Sequence, residues 1–67
     1  MLISVFDREI ITKTFNTIEA AQIAMSFQFT SAGATDSDIE CNEALYSDDV
    51  AWLNNRGNYD WKIVPVY

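Results

Sequence analysis

The chain has 67 residues, ten acidic against four basic, and its net charge of −6 counts against phosphate-led binding of nucleic acid, because the summed field repels a polyanion. It has no histidine and one cysteine, Cys41, which removes the commonest general base, the commonest metal ligand and any internal disulfide together. At this length one domain over residues 1–67 is expected, near the size where a single core supplies only about 3 to 5 kcal/mol.

Leu2 to Phe6 and Ile10 to Phe15 are short and rich in β-branched and aromatic residues, and the charged trio Asp7-Arg8-Glu9 separates them. This predicts an N-terminal hairpin whose turn type stays open, since neither glycine nor asparagine stands in it. No apolar run is long enough to span a bilayer, and the first one is interrupted by those charges. With the lone cysteine, this points to a cytoplasmic chain with no membrane partner.

Asn16 to Phe29 carries the most regular pattern. Glu19, Gln22 and Ser26 fall on one stripe at helical spacing, while Ile18, Ala20, Ala21, Ile23, Ala24, Met25 and Phe27 occupy most of the circumference. A buried helix is expected, with Asn16 as its N-cap and Glu19 completing a capping box. Thr30 to Thr35 then reads as a loop around Gly33.

From Asp36 to Gly57, Ser37 and Glu40 form a second capping-box pair, and Ile39, Tyr46, Val50 and Leu53 follow at spacings of seven, four and three. These predict a helix over about 38–56 with a break near Ser47, Arg56 in its last turn and Gly57 at its C′ position. The rival is a short strand over 38–45 with Ile39 and Cys41 inward. Asn58 to Tyr67 alternates as a strand, and Pro65 assigns its end to a sheet edge. The expected fold is α+β: a ββααβ order, with a three-stranded, mainly antiparallel sheet and helices packed on one face.

The net charge resides in fourteen residues. Asp36, Asp38, Glu40, Glu43, Asp48 and Asp49 contribute six negatives with no base among them, whereas Asp7, Glu9, Glu19 and Asp60 balance the four bases Arg8, Lys13, Arg56 and Lys62. On a helix Asp36, Glu40 and Glu43 share a face, and on a strand Asp36, Asp38 and Glu40 project together about 6 to 7 Å apart. Either row can steer a basic protein surface and fix its orientation. Tyr46 and Trp52 lie among the acids, so the candidate partner-binding set is Asp36, Asp38, Glu40, Glu43, Tyr46, Asp48, Asp49 and Trp52. Tyr59, Trp61 and Tyr67 complete the aromatics of this half and are read chiefly as core and its rim.

Chemistry is sparse. Asp36-Ser37-Asp38-Ile39-Glu40 opens like a calcium loop, but Cys41 stands at the required glycine and Ser47 at the closing glutamate, so neither metal nor cofactor is expected. Cys41 has no activating histidine and there is no glycine-rich phosphate loop, so no catalytic residue is assigned and the chain reads as non-enzymatic. Small size, acidity and absent catalytic groups resemble, as a class and without a matched motif, the small inhibitors that phages and mobile elements make. The functional expectation is an acidic protein-binding module that blocks a basic, nucleic-acid-binding site on a host protein, with carboxylates standing where phosphates would lie. The alternative is a self-associating homodimer in which the acids serve only solubility.

Overall fold

The computed structural model describes residues 1–65. Strands β1 (Leu2–Phe6) and β2 (Glu9–Lys13) precede helices α1 (Ile18–Ser31) and α2 (Asp36–Glu40), and strands β3 (Ala44–Tyr46), β4 (Val50–Leu53) and β5 (Tyr59–Ile63) follow. The strands form one sheet in the order β2-β1-β5-β4-β3, antiparallel at every junction. The α+β class stands. The three-stranded ββααβ order is corrected to five strands in ββααβββ order.

The hairpin expected at the N-terminus is present, closed by Phe6 opposite Glu9 with Asp7-Arg8 as a two-residue turn. Asp7 holds φ at 57°, a left-handed conformation that aspartate tolerates better than most residues. Leu2 and Ser4 of β1, Ala44 of β3, Ala51 and Leu53 of β4, and Trp61 and Ile63 of β5 point to one face. There they meet Ala21, Met25 and Phe29 of α1. Trp61 is the centre of this core, with Phe6, Phe29 and Tyr59 rings at centroid distances of 5.8, 5.7 and 6.3 Å. Its indole N–H donates to Gln28 Oε1 at 2.9 Å, and the Ser4 hydroxyl donates to the same oxygen at 2.6 Å. Ser4 stands directly opposite Trp61 across the β1–β5 junction, so a small side chain makes room for the indole and both polar donors reach one acceptor.

α1 differs from expectation in its cap and in its burial. Thr17 rather than Asn16 caps it, accepting from the Ala20 backbone N–H at 3.1 Å. Only one face is covered: Ile23 and Phe27, one turn apart, are 71% and 73% exposed, because five strands present a single face to a single long helix.

The largest correction falls on residues 38–56. The helix expected there, and its rival strand over 38–45, both give way to a five-residue helix followed by a β-hairpin. Cys41 ends α2 and Asn42 turns left-handed at φ 58°, a conformation that stops a helix and that asparagine accepts readily. Ser47-Asp48-Asp49 then makes the loop between β3 and β4, with the Ser47 N–H and hydroxyl donating to the Val50 carbonyl at 2.8 and 3.1 Å. α2 is capped by Thr35, not Ser37: Thr35 and Asp38 exchange side chain to backbone bonds in a complete capping box.

β5 lies inside the sheet between β1 and β4, so the edge position inferred from Pro65 is corrected; that proline follows two residues after the strand ends. The expected continuation of this strand over Val66 and Tyr67 lies outside the described residues. Gly57, expected to terminate a helix, instead turns the chain into β5 with φ 134°, and a Cβ there would meet Tyr59 Cζ at 3.0 Å and Asp7 Oδ1 at 3.2 Å. Gly57→Ala is expected to destabilise by about 1 to 3 kcal/mol, since only glycine occupies that conformation without strain. A urea midpoint unchanged from wild type would contradict this.

Candidate functional site

Most of the acidic residues lie beside the β3 edge of the sheet, before and after that strand, while the Asp49 carbonyl accepts from the Ile63 N–H of β5 at 2.8 Å and so sits at the strand ends. Asp36 and Glu40 are exposed on α2, which packs beside β3, and Glu43 is exposed just before the strand begins. Asp48 and Asp49 are exposed in the loop that follows it. At about 3.3 Å per residue, Glu43 and Asp48 stand roughly 16 Å apart along the chain direction.

Asp38 has a different role from its neighbours. It is 6% exposed, and its carboxylate accepts from Asn55 Nδ2 at 2.7 Å, Arg56 at 2.8 Å, the Thr35 N–H at 2.9 Å and the Thr35 hydroxyl at 3.0 Å. Burial alone would raise its pKa. The bonds from Asn55, from the Thr35 backbone and hydroxyl and from Arg56 outweigh that and lower it from 3.8 to about 2. Its four donors come from residues 35, 55 and 56, so this carboxylate ties the start of α2 to the turn between β4 and β5. It offers no free oxygen to a partner.

The other acids keep most of their charge outward. Asn55 Nδ2 also donates to Glu43 at 2.9 Å, which orients that carboxylate without neutralising it. Asp49 lies 3.9 Å from Lys62 with both side chains more than half exposed, a geometry worth little in water. Asp36, Glu40 and Asp48 have no salt-bridge partner among the described residues. The calcium-loop spacing does not translate into a ligand set, because Asp38 turns inward between exposed Asp36 and Glu40. Among the described residues no three Asp, Glu or Cys side chains gather as metal ligands do.

Tyr46 and Trp52 do not come together. Tyr46 faces the helix side, where its ring packs 5.2 Å from Phe29 and its hydroxyl donates to the Gln22 carbonyl at 3.3 Å. Trp52 lies on the opposite, helix-free face, paired across strands with Leu45 on one side and Asp60 on the other. In the hairpin the even positions of β3, Ala44 and Tyr46, stand opposite the odd positions of β4, Leu53 and Ala51, on the helix side, so Trp52 and Leu45 fall on the other face. Leu45, exposed beside half-buried Trp52, is the apolar neighbour of the acids that helical reasoning missed. The alternation Ala44-Leu45-Tyr46 followed by Ser-Asp-Asp and Val-Ala-Trp-Leu carried that signal as a hairpin pattern.

Near the start of α1 a groove of about 370 Å³ is lined by Phe15, Ile18, Ala21, Ile63 and Val64, with Asp49 as the one carboxylate among its lining residues. Among the described residues no helix is long and apolar enough to cross a membrane. No protein-family model matches the chain, and neither the curated proteins nor the solved structures yield a match.

Proposed function

We propose that the protein is a small, non-enzymatic interaction module whose β3 edge docks on a basic site of a partner protein. The observation that carries this reading is the segregation of charge. Asp36, Glu40, Glu43 and Asp48 are exposed beside the β3 edge of the sheet, Asp49 is exposed at the strand ends beside Lys62, and of the two cations nearest them Arg56 is engaged by buried Asp38. Such an edge raises the encounter rate with a cationic surface and selects its orientation, while Leu45 and Trp52 on the adjoining face supply apolar contact once the charges have met. Asp38 acts indirectly, by holding α2 in place. In its sharper form the partner's basic site is one that binds nucleic acid, and the module is its inhibitor.

The quadruple variant Asp36→Asn, Glu40→Gln, Glu43→Gln, Asp48→Asn keeps every buried bond described above and is expected to fold. Its capture of the natural partner from a lysate of the source cells is expected to fall roughly tenfold or more, and wild-type capture to weaken steeply between about 0.05 and 0.5 M salt. Elution of the captured partner by duplex DNA would support the inhibitor form. Undiminished capture by the quadruple variant would overturn the whole reading.

A further inference from the structure

The two edges of the sheet are unlike. β3 is three residues long and flanked by acids; β2 is five residues long, exposed throughout, and its neighbourhood of Asp7, Arg8, Glu9 and Lys13 is neutral. Ile10, on the helix-free face of β2, is 69% exposed, and Ile11, on the helix side, is 50% exposed, because α1 packs mainly over β4 and β5. Exposed edge strands that carry neither proline nor bulge can accept another strand, and β2, with Ile10 and Ile11 between charged ends, pairs with β1 over five consecutive residues without interruption.

The ladder also shows which backbone groups are free. Met1 and Val64 exchange both of their N–H to carbonyl bonds, at 2.7 and 2.9 Å, and the Asp7 N–H donates to the Asn58 carbonyl at 2.8 Å. Odd-numbered residues of β1 therefore bond toward β5, and Leu2, Ser4 and Phe6 bond toward their β2 partners Lys13, Ile11 and Glu9. By the same alternation, the N–H and carbonyl groups of Ile10 and Thr12 point away from the sheet.

We propose that β2 is a self-association edge that takes a second copy of this chain, antiparallel about a two-fold axis at Ile11. In that register Ile10 and Thr12 of each copy exchange bonds with Thr12 and Ile10 of the other, which uses the outward-pointing groups. Ile11 packs on its own copy on the helix side, at the close spacing of a non-bonded pair. Glu9 stands opposite Lys13 of the second copy at both ends of the joint. Of the two-fold registers that keep the free groups paired, those centred on Ile10 or Thr12 do not bring these opposite charges together. Lys13, whose ammonium rests 5.4 Å from the Phe15 ring centroid, is exposed and free to turn toward that carboxylate. The combined sheet has ten strands, so at about 4.8 Å per strand the two acidic β3 edges stand roughly 40 Å apart, several screening lengths. Net charge does not oppose this dimer as it would oppose one built on β3. The joint shares no residue with the acidic edge, and its outcome is independent of the partner proposed above.

A five-residue joint is small, so association belongs at the weak end of the range for dimers and is followed by sedimentation equilibrium from micromolar to millimolar protein. Wild type is expected to double in mass across that range. Thr12→Pro removes an outward N–H from each copy without touching the β1–β2 ladder and is expected to weaken the dimer at least tenfold. E9K and K13E, which put like charges opposite each other, are each expected to weaken it roughly tenfold, and the double variant E9K/K13E to restore it. Circular dichroism of each variant separates loss of association from loss of fold. A wild type monomeric throughout, a dimer indifferent to Thr12→Pro, or a double variant as weak as the single ones would each overturn the proposal.

Discussion

Trp61→Ala is expected to leave the chain unfolded at 25 °C. Replacing a fully buried tryptophan by alanine costs about 3 to 5 kcal/mol, and a core of this size supplies about the same amount in total. The indole is 1% exposed, touches three aromatic rings and joins β5 to α1 through Gln28, so no smaller set of side chains can close over the space it leaves. Gln28→Leu tests the polar half of the same centre: it removes the acceptor shared by Ser4 and Trp61 and leaves two donors without a partner, at about 1 to 3 kcal/mol each. Near-UV circular dichroism and urea titration read both variants. A cooperative transition at the wild-type midpoint in Trp61→Ala would show that the core does not depend on this ring.

The second large effect is expected in acid. Asp38 has its pKa lowered to about 2 in the folded chain against 3.8 as its ordinary value, so the folded state binds fewer protons than the unfolded state between those two values. The stabilisation from Asp38 is complete above about pH 4, declines as pH falls through the interval, and is gone below about pH 2. Melting temperature is therefore expected to drop across this window in wild type. Asp38→Asn is expected to melt lower than any of the five exposed acid substitutions at pH 7 and to lose the part of the acid-induced drop that belongs to this carboxylate. Parallel melting profiles for wild type and Asp38→Asn from pH 5 to pH 2 would dismiss the role assigned to it.

The contrast between Asp38 and its neighbours marks how far the chain could be read without coordinates. The N-terminal hairpin and α1 were legible, because β-branched alternation and a fourteen-residue helical stretch report on local geometry alone. Residues 38–56 were not, because Ile39, Tyr46, Val50 and Leu53 keep helical spacing by coincidence. In space Tyr46 and Leu53 point to the core from neighbouring strands while Val50 faces away. The decisive residues were Asn42 and the Ser47-Asp48-Asp49 loop, whose turn chemistry outweighs a four-point stripe. The acidic edge was visible as composition. That one of its six members is internal was also within reach, since Thr35-Asp36-Ser37-Asp38 has the spacing of a capping box with aspartate in the glutamate position. Ile23 and Phe27 lie on the outer side of α1 because the number of strands, which no helical pattern encodes, leaves nothing to cover them.

The brevity of β3 also sets a limit on growth. A sheet with two receptive borders can lengthen indefinitely into a fibre, whereas here one border is three residues long and ringed by carboxylates. On the pairing proposed for β2, each molecule offers one such place among its described residues, and joining there consumes it, so growth is expected to stop at two copies.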